Sequence, residues 1–187
     1  TDPESAKALF SPIAIPEEFM EETGVSVVWC IEKESDDLYW IATVFGLIKA
    51  VYTDEQWQFS RYFGASRLRT IFIDQNKNMW LGGYHALMVV PYSSRGTMKS
   101  LTVDLNSGKP DAISDDVITS FLLDSRDNLW IGTENGGINK LIGSYSDLDF
   151  SVDLADQAGF QVYAASSREH MLNNEEINVL YEHTDGN

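Results

Sequence analysis

The segment "DSRDNLWIGTENGGINKL", Asp124–Leu141, is the most informative part of the sequence about the fold. Its glycines suit either a loop that cradles a phosphate or one unit of a repeat. A phosphate-binding loop needs glycine amides at the N-terminus of a helix and a lysine in the G-x-x-x-x-G-K-[ST] arrangement. Here Gly132, Gly136 and Gly137 lie between two strand-like runs, and Lys140 is out of place. We therefore predict that Gly136 and Gly137 supply the positive φ of a tight hairpin.

Two further segments repeat this pattern, which makes the segment a repeat unit. They are "DDLYWIATVFGLIKAV", Asp36–Val51, and "NKNMWLGGYHALMVV", Asn76–Val90. Each has a polar turn, a tryptophan followed by small residues, a short turn and a second apolar strand. The tryptophans are Trp40, Trp80 and Trp130, so the spacings are 40 and 50 residues. Repeats of this length with several short strands are typical of propeller blades.

Each unit provides about four short strands, which is what a four-stranded antiparallel propeller blade requires. The third unit predicts strands near Val117–Asp124, Asn128–Thr133 and Gly137–Ile142, with an outer strand near Asp149–Leu154. The tryptophans would fill the contact between blades. Small residues would allow neighbouring sheets to approach closely: Ala42, Gly82 and Gly132. The sequence thus predicts an all-β, partial β-propeller with about three full blades.

The expected blade boundaries are approximate. Full blades are expected at about 25–63, 67–104 and 116–153, a partial blade at 1–24, and the start of a further blade at 176–187. In the last of these, Asp185, Gly186 and Asn187 match the polar turn before a tryptophan. We therefore expect that the chain is cut from a longer protein. Because the unpaired N–H and C=O groups of an open sheet edge tend to pair with another chain, we also expect an edge-to-edge homodimer.

The charge of the chain narrows the classes of partner. The 187 residues include 29 acidic and 13 basic side chains, and the net charge is −16. Such a surface repels nucleic acid and anionic membranes. No apolar run reaches the roughly 18–20 residues that span a bilayer, and the first residues lack the features of a signal peptide. The single cysteine, Cys30, lies in an apolar run and is expected to be a buried, inert thiol.

The repeat resembles the two-component regulator propeller repeat. The third unit, Val117–Leu141, carries the pattern nearly throughout. The matching residues are Asp124, Asn128, Leu129, Trp130, Ile131, Gly132, Thr133, Gly136, Gly137, Ile138 and Leu141. The other units depart from it, with Ala86 at a hairpin glycine, Gly83 in place of the threonine and Ala42 at the glycine after the tryptophan.

The resemblance implies a sensor rather than an enzyme. In that family the propeller is the extracytoplasmic sensor of a membrane-bound histidine kinase, hybrid regulator or diguanylate cyclase, and several members resemble carbohydrate sensors. It implies a periplasmic or other extracytoplasmic location in a bacterial inner-membrane protein, with a small molecule or oligosaccharide as ligand. From the residues alone, a propeller lyase or hydrolase and a purely protein-binding propeller remain alternatives.

No motif predicts catalytic, cofactor-binding or metal-ligating residues, and the ligand-binding residues stay unassigned. Asp74, Asn76 and Asn78 imitate the first half of a calcium loop, but the sixth position is Met79, so a polar β-turn is favoured. The histidines lie in different units without metal-ligand spacing. They are His85, His170 and His183. His85, in a hairpin turn, is expected to be solvated.

Three other stretches could contact a ligand. In "WQFSRYF", the residues Trp57, Phe59, Arg61 and Phe63 alternate with polar ones; we favour an outer strand over a sugar platform. For the basic residues Arg95, Lys99 and Lys109 we favour a solvated loop over an anion site. The stretch Leu154–Glu176 predicts an enlarged loop or short helix inserted between strands, where specificity often resides.

Overall fold

The computed structural model describes residues 15–24, 27–103, 105, 108–154, 157–164 and 176–183. Within them the chain forms one short α-helix, two 3-10 helices at Tyr92–Ser94 and Tyr145–Asp147, and twelve strands. The bounds are α1 Glu17–Thr23, β1 Val28–Ser35, β2 Leu38–Thr43, β3 Gly46–Thr53, β4 Gln56–Tyr62, β5 Arg67–Ile73, β6 Met79–Tyr84, β7 Ala86–Val90, β8 Leu101–Thr102, β9 Ile118–Leu123, β10 Leu129–Thr133, β11 Ile138–Leu141 and β12 Phe160–Tyr163. No helix in these residues is both long and apolar enough to span a membrane.

The strands form three four-stranded antiparallel sheets in chain order, as the repeat predicts. Sheet 1 has the order β1-β2-β3-β4, sheet 2 the order β5-β6-β7-β8 and sheet 3 the order β9-β10-β11-β12. The first strands of neighbouring sheets contact each other, so β1, β5 and β9 form the inner side of the row. This is the arrangement of consecutive blades in a partial β-propeller.

Two of the three repeated tryptophans, Trp40 and Trp80, fill spaces between sheets as predicted. The prediction was wrong for Trp130, which is half-buried and packs on Tyr163 and Lys140 of its own sheet. Trp80 is fully buried and packs with Ile118, Leu129 and Ile131 of sheet 3. Trp40, 3% exposed, belongs to the core shared by sheets 1 and 2. Burying their large apolar surfaces stabilises the contacts between neighbouring sheets.

Close approach between sheets explains the small residue after the tryptophan. A Cβ on Gly82 would lie 2.5 Å from the Cγ2 atom of Ile118, well inside van der Waals contact. A Cβ on Gly132 would meet Ile177 and the side chain of Ser120 in the same way. The expected role of these glycines is therefore confirmed, because a larger residue would push the sheets apart.

The hairpin glycines of the third unit behave differently from each other. Gly137 has a φ of +76°, as expected for a tight hairpin. Gly136 is absent from the described residues with positive φ, so the prediction for it was wrong. A Cβ on Gly136 would collide with Ser114, and the Ser114 hydroxyl donates to the Gly136 carbonyl at 2.7 Å. Gly136 is thus needed for close approach to the preceding loop.

The outer strand of sheet 3 lies further along the chain than expected. The region Asp149–Leu154 forms turns, and its last residue, Leu154, is fully buried in the core. The fourth strand is β12, which pairs with β11 from Ile138↔Tyr163 to Leu141↔Phe160. The stretch Leu154–Glu176 thus contains a strand rather than only an insertion, and its residues 155, 156 and 165–175 lie outside the described residues.

Helix α1 covers the outer face of sheet 1. Ile15 and Phe19 pack against Ile41, Ile48 and the neighbouring apolar residues of that face. The expected partial blade at 1–24 and the polar turn at 185–187 otherwise fall outside the described residues.

Candidate ligand-binding site at the inner strands

The connectivity of the sheets defines two ends of the row. The turns β1–β2, β5–β6 and β9–β10 lie at one end, called the tryptophan-turn end because they precede the tryptophans. The hairpins β2–β3, β6–β7 and β10–β11 lie at the opposite, hairpin end, together with the connections between sheets. This follows because each antiparallel strand reverses the direction of the chain.

Each inner strand carries a β-bulge at the same position. In β1 the pairs Val28↔Thr43 and Cys30↔Ala42 skip Trp29. The corresponding skipped residues in β5 and β9 are Arg69 and Thr119. All three lie 11 residues before the tryptophan of their unit, as 40 − 29, 80 − 69 and 130 − 119 show. Bulges re-aim a side chain, so the repeat places one variable side chain per blade on the inner side.

The bulge residue Arg69 joins all three sheets. Its guanidinium lies 4.8 Å from the ring centroid of Trp29 and 5.5 Å from that of Tyr84. Its Nη1 atom donates to Glu134 Oε1 at 2.8 Å, with side-chain exposures of 12% and 32%. The neighbouring Arg67 stacks over Tyr84 at 4.8 Å. We call these five residues the arginine–aromatic cluster.

The cluster has the features of a recognition surface. Trp29 is 45% exposed although it is a large aromatic residue, and it lies on the innermost strand. Stacking on aromatic rings holds both arginines in fixed orientations, with Arg67 exposed and the Arg69 side chain 12% exposed. The ion pair with Glu134 fixes Arg69 further. The geometry therefore combines an exposed aromatic face with oriented donors, which suits binding rather than proton transfer.

A cleft adjoins the cluster at the hairpin end. It has a volume of about 620 Å³ and is lined by Val27, Val44, Phe45, Gly64, Ala65 and Arg67. Arg67 belongs both to the cleft and to the arginine–aromatic cluster. The volume falls within the range of about 300–1,000 Å³ for small-molecule sites.

His85 lies in the β6–β7 turn at the same end, where the sequence places it. Its side chain is 77% exposed, and its Nδ1 atom lies 2.5 Å from Oδ2 of Asp116. The backbone N–H of His85 also donates to the Asp116 carbonyl at 2.8 Å. The residue is thus tied to the connection between sheets 2 and 3 rather than merely solvated. His183 is exposed, and His170 lies outside the described residues.

At the tryptophan-turn end, an acidic residue six positions before each tryptophan accepts hydrogen bonds. Trp40 Nε1 donates to Glu34 Oε2 at 2.6 Å, and Trp130 Nε1 donates to Asp124 Oδ2 at 2.8 Å. The constant offset, as in 40 − 34 and 130 − 124, was available in the sequence and was missed.

In sheet 2 the hydroxyl of a tyrosine lies between the tryptophan and the acidic residue. Trp80 Nε1 donates to the Tyr145 hydroxyl at 2.8 Å, and that hydroxyl donates to Asp74 Oδ2 at 2.6 Å. Asp74 also accepts from the backbone and side-chain N–H groups of Asn78. The polar β-turn favoured for Asp74 and Asn78 is therefore present, and the Asp74 carboxylate is occupied by protein donors. Within the described residues, no group of three or more acidic, histidine or cysteine side chains could hold a metal ion.

The pKa of the Asp124 carboxyl reflects two opposing influences. Burial raises it, while hydrogen bonds from Trp130, Asn128 and the Arg126 amide lower it, and the net pKa is lowered. The carboxylate is thus held ionised as an acceptor for the turn.

Arg95 does not form an anion site. Its side chain is only 12% exposed, its Nη1 atom donates to Glu34 Oε2 at 3.0 Å, and it lies 5.1 Å from the ring of Trp40. The solvated-loop prediction was therefore wrong for Arg95, which links sheets 1 and 2. Lys99 and Lys109 are exposed.

The aromatic stretch "WQFSRYF" lies mainly in β4, the outer strand of sheet 1, as we favoured. Trp57 packs against Tyr39 and Tyr52 with ring centroids 5.7 and 5.2 Å apart. Phe59 packs against Phe19 of α1 at 5.7 Å. Phe63 departs from the alternation, because it follows the end of β4, has a φ of 53° and joins the opposite core.

Cys30 is half-buried and packs against the core shared by sheets 1 and 2. Burial raises the pKa of its thiol, with an opposing influence from a hydrogen bond with the Ile71 backbone. A raised pKa leaves the thiol protonated, in agreement with an inert side chain.

Comparison with known proteins identifies the repeat. Residues 112–135 match the family described as two component regulator propeller. The third repeat of this chain is thus similar to the two component regulator propeller repeat. The matched residues run from the connection before β9 to the β10–β11 turn, so they include the bulge at Thr119 and the Asp124–Trp130 pair.

Two similar solved structures share the fold. One is described as the extracellular domain of a hybrid two component system, BT4673 from B. thetaiotaomicron; it has a TM-score of 0.63, 20% identity and covers 85% of this chain. The other is described as the extracellular domain of a one component system, BT4673 from the same organism, with a TM-score of 0.60, 18% identity and 84% coverage. The present chain spans only 21% and 18% of their lengths. No curated protein sequence matches the chain.

Proposed function

We propose that this chain is part of an extracytoplasmic, ligand-sensing propeller of a two-component signalling protein. Occupancy of the sensor would be relayed through a membrane segment to a cytoplasmic histidine kinase or diguanylate cyclase. The observation that carries the proposal is the arginine–aromatic cluster, formed by three successive blades around the bulge residue Arg69. The two component regulator propeller repeat and the extracellular location of the similar structures support it.

The repeated bulge supports a sensing function because its side chain could contact a ligand without taking part in strand pairing. The bulge side chain lies outside the ladder and the cores, so it can differ between blades while the sheets stay the same. In this chain it is Trp29, then Arg69, then Thr119, whose hydroxyl donates to the Ile177 carbonyl. A row of such residues would form a composite inner surface whose chemistry changes from blade to blade.

The relay would depend on contact between two sensor chains. Large apolar side chains are exposed on the first strand of sheet 1 and in the segment 176–183 beside sheet 3. They are Val28 at 45%, Ile31 at 57%, Val179 at 71% and Tyr181 at 77% exposure. We propose that two copies pair edge to edge and that occupancy changes this pairing. Light scattering should therefore give a dimeric mass, and a monomer at all concentrations would contradict this part of the proposal.

A thermal-shift screen of the full-length protein tests the ligand-binding function. Oligosaccharides, amino acids and small anions are compared at high concentration. A ligand at about 100 times its Kd adds about 2.7 kcal/mol to the native state, which is a visible shift. We expect a selective hit that is lost in Arg69→Gln and retained in Arg126→Gln. Arg126 is a matched control because it is exposed and lies in a turn at the opposite end. A hit that both variants retain would place the ligand elsewhere.

A further inference from the structure

We propose that the cleft at the hairpin end binds a small organic monocarboxylate with an apolar body. Arg67 would hold the carboxylate, while Phe45, Val44 and Val27 would contact the body. This deepens the proposed sensing function and rests on it only in that occupancy of the cleft would be the signal. The binding itself depends on the local structure and can be measured alone.

The apolar wall of the cleft is exposed to solvent, although the β2–β3 turn does not need an apolar residue at this position. Phe45 and Val27 are 43% and 41% exposed. The other two hairpin turns have polar residues at the position of Phe45, namely His85 and Asn135. An exposed phenylalanine beside a valine is therefore a local feature of this blade, and apolar walls are typical of small-molecule sites.

Hydrogen bonds fix the backbone of the turn that carries Phe45, so its exposure is not a result of a loose turn. The buried Thr43 hydroxyl donates to the Gly46 carbonyl at 2.8 Å and accepts from the Phe45 N–H at 3.1 Å. Gly46 has a φ of +109°, which the turn requires. Binding to a wall that is already ordered avoids much of the entropy cost of immobilising side chains.

The polar side of the cleft is cationic in a strongly acidic protein. Arg67 is exposed and stacks on Tyr84, and no carboxylate among the described residues forms an ion pair with it. The guanidinium of Arg61 lies beside Gly64 of the lining, 3.3 Å from where a Cβ would be. Arg67 differs in this from Arg69 and Arg95, which have carboxylate partners. An unpaired, oriented guanidinium favours a carboxylate as its partner.

The overall charge selects a ligand with a single negative charge. With a net charge of −16, the chain repels an approaching anion in proportion to the charge of that anion. A polyphosphate or polysulfate therefore faces a larger penalty than a monocarboxylate. The apolar wall adds a second selection, because a very small anion gains nothing from it. The combination favours an aryl or alkyl monocarboxylate.

The test is a calorimetric titration of the full-length protein with 3-phenylpropionate. Two matched ligands isolate the two contacts: 3-phenylpropan-1-ol has the apolar body without the charge, and acetate has the charge without the body. We expect saturable binding of 3-phenylpropionate and at least about tenfold weaker binding of each control. The expected factor corresponds to one charge-assisted hydrogen bond or one buried aromatic contact.

Two variants test the residues independently. Arg67→Gln should weaken binding by about 10- to 100-fold, and Phe45→Ala by about tenfold, while Arg126→Gln should leave it unchanged. Phe45 lies on an exposed turn, so Phe45→Ala keeps the test valid if Arg67→Gln fails to fold. Absence of 3-phenylpropionate binding, equal binding of the alcohol, or full affinity in either folded variant would overturn the proposal.

The outcomes also separate the cleft from the sensing function. Specific binding of 3-phenylpropionate without any change in signalling output would contradict the claim that occupancy of the cleft is the signal and leave the cleft as a binding site. A sensor response to a different ligand, with no binding of 3-phenylpropionate, would overturn the cleft proposal alone.

Discussion

The Tyr145 hydroxyl provides the sharpest test of how neighbouring blades are joined. It accepts from the buried Trp80 indole and donates to Asp74, and Tyr145 and Trp80 are 4% and 0% exposed. Tyr145→Phe would leave the Trp80 N–H buried without its acceptor, which costs about 1–3 kcal/mol. It would also remove a donor from the Asp74 carboxylate. Because these losses overlap, we expect destabilisation by about 2–4 kcal/mol, a large part of the roughly 5–15 kcal/mol of a typical domain.

Urea unfolding at pH 7 measures this loss in the full-length protein. Tyr181→Phe is the matched control, since it removes the same hydroxyl from a residue that is 77% exposed. The control should change the free energy of unfolding by less than about 0.5 kcal/mol. If Tyr145→Phe changes the free energy of unfolding as little as the control does, the hydrogen bonds from Trp80 through Tyr145 to Asp74 do not stabilise the fold.

The pH dependence provides a second readout of the same substitution. Burial, together with the hydrogen bond to Asp74, raises the pKa of Tyr145 well above its usual value of 10.0. The folded state therefore favours the neutral phenol, and its stabilisation is complete below about pH 10 and declines as the pH rises further. The difference between wild type and Tyr145→Phe should be constant from pH 6 to 9 and should shrink above pH 10.

Two further substitutions test the sheet contacts and the acidic turns. Gly82→Ala should destabilise by about 1–3 kcal/mol because its Cβ would lie 2.5 Å from Ile118, whereas Gly96→Ala, with no atom within 4 Å, should be neutral in the same urea assay. Asp124→Asn should cost about 1–2 kcal/mol at pH 7 by weakening the bond from Trp130. Since the pKa of Asp124 is lowered, this contribution is present above about pH 4 and is lost as the pH falls further, so the two proteins should converge in more acidic solution.

The sheets could be predicted from the sequence because their signals are local. The recurring tryptophans, the alternation of apolar residues and Gly137 in its turn each act within one hairpin, so the three sheets and their order were recovered. The outer strand of sheet 3 was not, because Leu154 fills the core from a turn and the strand forms only at Phe160–Tyr163. No local pattern distinguishes a buried residue in a turn from one in a strand.

The candidate site could not be predicted from local sequence patterns either, because its residues lie far apart in the chain. Arg69 acquires its environment from Trp29, 40 positions earlier, and from Glu134, 65 positions later. Only the stacking of blades brings these residues together. The periodic signals were nevertheless present: the bulge 11 residues before each tryptophan, and the acidic residue six before it. A search by offset from the tryptophan could have found both, although not the inserted Tyr145.

The most direct test of the central claim is the output activity of the full-length protein in membrane vesicles. Phosphate incorporation from ATP, or cyclic di-GMP synthesis from GTP, is measured with and without a ligand supplied on the extracytoplasmic side. We expect a ligand found by thermal shift to change this activity, and Arg69→Gln to abolish the response while leaving the basal activity unchanged. A ligand that binds at the arginine–aromatic cluster and leaves the output the same would contradict the sensor function.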